Sequence, residues 1–495
     1  MGIFVGNKDP DLQTFNEIIP KMKKRLNFWK PLKLPILAKA RVIEIFHASK
    51  LFYAANFYPI PQDKEKEITE AFMNYITFPK RSNEVSRTEM EKLRIHGGIK
   101  LINIKLKAET PKVHWLIRLL CSDHLRIQRS LFNTLIGAQG PVSGEEIIFT
   151  ETPFVKKCKI KSSFYKEALL AISKLHTFKH YADVNGEHLF YNPIFVTDND
   201  YAAHDRTITP FRGNAILCRI RTYGDILNAE NTITQPRLLA AVRRKIASIN
   251  HIRDSAPSHM IIGLNDGKEH GFRFVTQKLI YSELLHAQSR DHAYVGKWSE
   301  IVGLVMWDPI WDSLHQQFFT ESTKSTIWEQ IHLNFYTTHN YNKWHNALDP
   351  CPLCRKIPEN ASHIMLSCKF TKVMWRRIHR SLVGIIPSFP TSLEMAFGLQ
   401  PANDKDKYPT TLRNWLTFSL RHLIMQEERT AFHAGKVPSI ERFFVKYNNH
   451  VKNELKIKKL QYDFQGLSTK FEKIVTTNNI VAKVDNGKYT WNDIL

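Results

Sequence analysis

The sequence predicts a mainly α-helical protein, and three observations predict it. Apolar residues recur at three- and four-residue steps through residues 11–78, and the dense aromatics after Trp307 keep helical spacing. Between them, residues 145–300 carry short apolar runs and Asp/Asn/Gly turns, the mark of a mixed α+β middle region whose topology the pattern does not give. A chain of 495 residues, 43% apolar and 11% aromatic, can bury several cores, and at roughly 100–200 residues each about three domains are expected.

Taken in order, residues 11–30 place Leu12, Phe15, Ile18, Ile19, Met22, Leu26 and Trp29 on one side, with Lys21, Lys23, Lys24 and Arg25 largely between them. That pattern is a helix with a basic face, and Pro20 is expected to kink or divide it. Leu34 to Tyr58 is apolar on nearly all sides, relieved by Lys39, Arg41, Glu44 and Lys50, and closed by Pro59 and Pro61. It is expected to form a long, mostly buried helix. Asp63 to Phe78 sets Ile68, Phe72, Met73 and Ile76 on one face and ends at Pro79, Lys80 and Arg81. Three such helices make a small bundle.

Gly97-Gly98 then breaks the chain before Ile99, Leu101, Ile102 and Ile104, and a further helix is expected around Val113 to Leu120, with Trp115 and Arg118. Gly137-Ala138-Gln139-Gly140-Pro141-Val142-Ser143-Gly144 has the composition of a linker. After Trp307 come Trp311, Phe318, Phe319, Trp328, Phe335, Tyr336, Tyr341, Trp344 and Trp375, whose spacing favours a packed core over base stacking. The tail from Val437 has a helical section with Lys446, Lys452, Lys456, Lys458 and Lys459 and ends in a polar stretch. The expected domains are 1–135, 136–305, 306–435 and 436–495.

The 70 Lys+Arg exceed the 47 Asp+Glu by 23, a balance that points to a polyanionic partner, nucleic acid before a membrane. No run of 18 apolar residues occurs, so no membrane partner is expected. The start, Met1-Gly2-Ile3-Phe4-Val5-Gly6, is broken by Lys8 and Asp9 and lacks a signal-peptide core. Six cysteines are few for a secreted scaffold. A nuclear or cytoplasmic location is expected, and Lys21 to Arg25 read as a nuclear signal or, on a helix, as a solvated or phosphate-facing stripe.

The sharpest motif is Cys351-Pro352-Leu353-Cys354, eight residues, His363, four residues, Cys368. Three thiolates and an imidazole suit tetrahedral Zn2+, and four strong ligands leave no open position for water, so the expected ion is structural. Directly after it, Lys369, Lys372, Arg376, Arg377 and Arg380 fall on a helical pattern that turns Phe370, Val373, Met374 and Ile378 inward. Basic groups presented this way suit phosphate. Cys121, Cys158 and Cys218 belong to no ligand spacing and are expected to be buried apolar residues. His96 is expected to be a loop hydrogen-bond donor, and no phosphate loop, H-E-x-x-H helix or G-x-S-x-G elbow appears.

The stretch Lys33-Leu34-Pro35-Ile36-Leu37-Ala38-Lys39-Ala40-Arg41-Val42 running to Ser49-Lys50-Leu51-Phe52-Tyr53 resembles the segment after the palm of a non-LTR (LINE-type) retrotransposon reverse transcriptase. Gly97-Gly98-Ile99-Lys100-Leu101-Ile102-Asn103, preceded by Val85-Ser86-Arg87, is similar to that family's GGLGL-N element, and Cys351, Cys354, His363 and Cys368 followed by Trp375 to its terminal CCHC motif. The resemblance is specific over roughly 11–120 and 327–380. It implies a thumb-like helical bundle that grips a template–primer duplex, a connecting region, and a small zinc-stabilised C-terminal helical domain that binds element RNA or target DNA. By it, Lys21, Lys23, Lys24, Arg25, Lys39 and Arg41 belong to the thumb-like surface, and Lys369, Lys372, Arg376, Arg377 and Arg380 to the C-terminal one.

The family's polymerase needs paired aspartates to hold two metal ions. This sequence has no Asp-Asp dipeptide, and Tyr181-Ala182-Asp183-Val184 and Asp198-Asn199-Asp200 are poor substitutes. The likeness opens at Met1-Gly2-Ile3, just past the palm, and the endonuclease module is missing. The expectation is therefore a non-catalytic nucleic-acid-binding fragment, not an enzyme by itself, with any palm supplied by an upstream or separate chain. The alternative is a protein-interaction scaffold in which an aromatic patch within 307–344 is the interface.

Overall fold

The computed structural model describes residues 9–78, 85–139, 142–143, 147, 152–175, 179–180, 261–263, 269–271, 274–286, 293–334, 337, 349–356, 360–381, 383, 389–398, 406–485 and 488–492. Tyr181 to Val184, Asp198 to Asp200, Cys218, Pro79 to Arg81, Phe335, Tyr336, Tyr341 and Trp344 lie outside them. In chain order the helices are α1 (Pro10–Trp29), α2 (Ile36–Val42), α3 (Ala48–Ala55), α4 (Gln62–Thr77), α5 (Arg87–Glu91), α6 (Ile104–Cys121), α7 (Arg126–Ile136), α8 (Thr152–Lys157) and α9 (Ser163–Ile172). They continue with α10 (Gln277–His286), α11 (Ala293–Val302), α12 (Trp307–Leu314), α13 (Glu321–Ile331), α14 (Lys369–Ser381), α15 (Ser392–Phe397), α16 (Lys407–Ala434), α17 (Ile440–Phe464) and α18 (Ser468–Val475). Two π-helical turns, Ile43–His47 and His363–Ser367, interrupt this pattern. The described chain is mainly α, and it forms two units: Met1–Trp29, Ile43–Met73 and Ile102–Ser289, and Lys30–Val42, Asn74–Leu101 and Arg290–Leu495.

In the first unit α1 runs through Pro20 without a break. Phe15, Ile19, Met22 and Leu26 form its buried stripe while Pro20 is exposed. The missing N–H therefore faces water, and burial of the opposite face holds the helix together. The turn Ile43–His47 inserts an extra residue before α3 and rotates Ile45 and Phe46 outward, to 61% and 46% exposure. Thus the stretch expected to be mostly buried is buried on one side only. The Phe46 ring stacks on Trp29 with centroids 5.0 Å apart.

Helix α6 packs on α9 and α10. It begins at Asn103, whose side chain caps Leu106 N–H at 3.0 Å. Lys112, fully buried, pairs with Glu167 of α9, and Lys174 reaches Glu109 of α6 at 3.0 Å. The two pairs run in opposite senses and fix the register of α6 against α9. The stretch with linker composition leaves α7 at Gly137 (φ 65°) and forms a hairpin of β1 (Ala138–Gln139) and β2 (Val142–Ser143), with Ala138 opposite Ser143. Strands β3 (Lys179–His180), β4 (Ile261–Gly263) and β5 (Glu269–Gly271) form an antiparallel sheet in that order.

In the second unit Gly97-Gly98 closes a tight turn. Gly97 has φ 80°, and a Cβ on Gly98 would lie 1.9 Å from the Lys92 carbonyl oxygen, so neither tolerates a side chain. Beyond the turn, Ile99 and Leu101 N–H donate to Met90 O at 3.1 and 3.0 Å. Three indoles of the core have their N–H groups satisfied: Trp298 donates to Ile331 O at 2.7 Å, Trp328 to Gly97 O at 2.8 Å, and Trp415 to Glu454 Oε2 at 3.0 Å. Trp311, Phe318, Phe319 and Trp328 are buried. Among the described aromatics of 307–344, Trp307 is half-buried and the others are buried.

Helix α16 is buried on all sides from Thr410 to Met425. It packs against α13, α17 and α18, and Tyr447 of α17 donates to Leu416 O at 2.9 Å. The polar end of the chain is not a tail: β6 (Ala482–Asp485) and β7 (Lys488–Trp491) pair antiparallel, Ala482 opposite Trp491. Tyr489 and Trp491 stack at 5.3 Å beside the buried Phe471 of α18. No helix among the described residues is long and apolar enough to cross a membrane.

Candidate metal centre and basic helix

Cys351 and Cys354 sit on one tight turn. Arg355 N–H donates to Cys351 O at 2.8 Å, with Arg355 at φ 57°, and Leu353 is buried beneath. Asn360 Oδ1 then accepts from His363 N at 2.8 Å and from Ser362 Oγ at 2.9 Å, which starts the next helical segment at a fixed point.

That segment is the second π-helical turn. His363 and Cys368 are five apart, and on an ordinary α-helix they would diverge by about 140° around the axis. The turn closes instead with Cys368 N–H on His363 O at 2.7 Å, which brings both donors to one side. Two side chains of α14 hold its carbonyls: Thr371 Oγ1 donates to Ile364 O at 2.8 Å, and Trp375 Nε1 to Met365 O at 3.3 Å. Arg421 of α16 donates to Ala396 O and points its other nitrogen to Met365 Sδ at 3.9 Å. Burial pushes its guanidinium down to about 9.

The result is a cluster of Cys351, Cys354, His363 and Cys368 whose donor atoms all lie within 4.8 Å of one another. Cys351, His363 and Cys368 are buried, and Cys354 Sγ is 3.5 Å from His363 Nε2. A tetrahedral ion with metal–sulfur bonds of about 2.3 Å sets sulfurs about 3.8 Å apart, so the cluster could hold a metal ion with small adjustments. The outer contacts fit that use. Ser367 Oγ lies 3.4 Å from His363 Nδ1, leaving Nε2 to face the sulfurs. The Cys368 thiol is held down to about 4, first by its hydrogen bond with Cys351, against burial, and further by His363 and by the Thr371 and Phe370 N–H groups that open α14.

Cys368 directly precedes α14, so the cluster fixes where that helix starts. Phe370, Met374, Trp375 and Ile378 are buried and Val373 is half-buried, as the spacing predicts. Lys369, Lys372, Arg376 and Arg380 are exposed at three- and four-residue steps and make no ion pair among the described residues. Arg377 differs, its guanidinium carbon lying 4.0 Å from the centroid of the Phe444 ring.

The other sequence-predicted cations separate by environment. On α1, Lys21 pairs with Glu17 at 3.0 Å and Lys23 with Glu67 at 2.8 Å, while Lys24 and Arg25 are exposed without an ion pair among the described residues. Arg41 is 53% exposed and 3.9 Å from Glu321. Lys39 corrects the surface assignment. It is 6% exposed, and its ammonium donates to Ile76 O at 2.9 Å and to Phe78 O, the carbonyls at the end of α4. A cation placed there satisfies orphan carbonyls and the negative helix end, and is not available to phosphate.

His96 is exposed, with Nδ1 3.9 Å from Asp308, too far for a hydrogen bond. Cys158 is buried and its thiol raised by burial. Sequence reasoning missed Asn360, Ser367 and Arg421. Asn360 had a readable signal, a capping residue three before His363, whereas Arg421 lies 53 positions beyond Cys368 with no local mark. Comparison with known proteins finds no family model and no curated protein that matches this chain.

Proposed function

We propose that this chain binds RNA or DNA and is a non-catalytic C-terminal part of a non-LTR retrotransposon reverse transcriptase, with a structural Zn2+ on Cys351, Cys354, His363 and Cys368. The observation that carries the reading is the coupling of that cluster to α14. Immediately after the last donor begins a stripe of four cations without an ion pair among the described residues, Lys369, Lys372, Arg376 and Arg380. When bound, zinc supplies folding free energy and a fixed turn. The chain's own residues do the rest. Thr371 and Trp375 tie the donor turn to α14, and the buried face of α14 leaves its cations no direction but water or phosphate. The net charge of +23 supports the same reading, as do the motif order and the absence of paired aspartates.

In this reading residues 1–135 form the thumb-like bundle, 136–305 a connecting region and 306–435 the zinc-stabilised domain. The test is anisotropy of the purified chain with labelled RNA and DNA from low to high salt. Affinity should fall steeply, since each neutralised phosphate releases a counterion; affinity independent of salt contradicts the proposal. Primer extension by the isolated chain would contradict the non-catalytic part of it.

A further inference from the structure

A cavity of about 390 Å³ opens within the first unit between α1 and the Ile43–His47 turn. Three properties set it apart from a packing defect. Its rim carries Lys21, Lys24, Arg25 and Lys50, of which only Lys21 has an ion pair among the described residues. Its walls include Phe28 and Phe46, 78% and 46% exposed. His47 lines it, and although that side chain is 3% exposed, neither ring nitrogen has a hydrogen-bond partner among the described residues.

A buried polar group without a partner costs free energy, and each is a candidate for a ligand's hydrogen bond. Burial, and the Arg25 charge, push the His47 ring down to about 4. The imidazole is therefore neutral at pH 7 and offers one N–H donor and one acceptor. Cations beside an aromatic wall and a donor–acceptor pair match a phosphate joined to a planar, hydrogen-bonding ring.

We propose that this cavity binds one nucleotide, its phosphate toward Lys24, Arg25 and Lys50, its base against Phe28 and Phe46. The proposal deepens the nucleic-acid reading above and rests on it for the source of the nucleotide, the end of a single strand. A free mononucleotide has the same chemistry, so both are tested. Full-length protein and the exposed-residue variants Phe28→Ala, Lys24→Gln and Arg25→Gln are titrated with a short single-stranded oligonucleotide bearing a terminal phosphate, and separately with AMP. Unchanged circular dichroism serves as the folding control.

The expected result is that the oligonucleotide binds the parent, and that Phe28→Ala weakens it about tenfold, the scale of one base stack. Removing the terminal phosphate should weaken the parent but not Arg25→Gln. Equal affinity of parent and variants overturns the cavity site while leaving nucleic-acid binding elsewhere intact. Binding of AMP alone, abolished in the variants, keeps the cavity site and overturns the strand-binding function. Binding of neither overturns the inference.

Discussion

Replacing Lys39 by Met distinguishes a helix-end lysine from a phosphate-binding one. Lys39 is 6% exposed, and its ammonium serves the Ile76 and Phe78 carbonyls where α4 ends. A hydrogen bond from a charged donor contributes about 1.5–3 kcal/mol, and a buried acceptor left without one costs about 1–3 kcal/mol. The favourable position at the negative end of α4 adds up to about 2 kcal/mol. Against these stands the ammonium's own desolvation, which Met escapes. The net expectation is a loss of about 2–4 kcal/mol, or about 5–15 °C in the midpoint of thermal unfolding for a unit of this size. Differential scanning fluorimetry of parent and variant measures it, with RNA affinity on the same samples at a temperature where both are folded. A midpoint within a degree of the parent, together with a weaker and less salt-dependent RNA complex, would refute the buried assignment and return Lys39 to the surface set.

Other perturbations follow from the same geometry. Cys351→Ser should reduce bound zinc per chain and open the 340–380 region to limited proteolysis; unchanged metal content by mass spectrometry under native conditions would remove the metal assignment. Trp415→Phe keeps an aromatic ring in place but leaves Glu454 Oε2 without its 3.0 Å donor, so urea denaturation should register a loss of about 1–3 kcal/mol, and a neutral result would mean that water or His450 replaces the indole. His422 is buried between Thr326 and Gln426, and burial pushes its imidazole down to about 4. The unfolded chain binds that proton near 6.5, so stability present above that pH falls away as pH drops toward 4, by about 3 kcal/mol at most. Urea midpoints that stay level between pH 7 and 4.5 would contradict the buried neutral state.

What the sequence makes legible is what one periodic face determines. Phe15, Ile19, Met22 and Leu26 mark the buried stripe of α1 despite Pro20, and Cys351 to Cys368 mark the donor set, because ligand chemistry and spacing are both local. The π-helical turns are not legible, since an added residue in a helix leaves no compositional mark. Yet one of them turns Phe46 outward beside His47, and the other brings His363 and Cys368 to the same side. Lys39 and Lys24 look alike as basic residues in a sequence; only the nearness of Lys39 to a helix end 37 positions away separates them. The terminal hairpin resembles a polar tail in sequence because its strands are four residues each and its packing partner, Phe471, lies on a separate helix.

The central claim, that the donor cluster sets a basic helix against phosphate, is tested most directly by the salt dependence of RNA and DNA binding in the parent and in a variant carrying Lys369→Gln, Lys372→Gln, Arg376→Gln and Arg380→Gln. All four side chains are exposed and without an ion pair among the described residues, so the variant should fold and retain its metal. The account predicts a weaker complex whose slope against log salt is shallower by about one for each phosphate no longer neutralised. Identical slopes and affinities in parent and variant would contradict it.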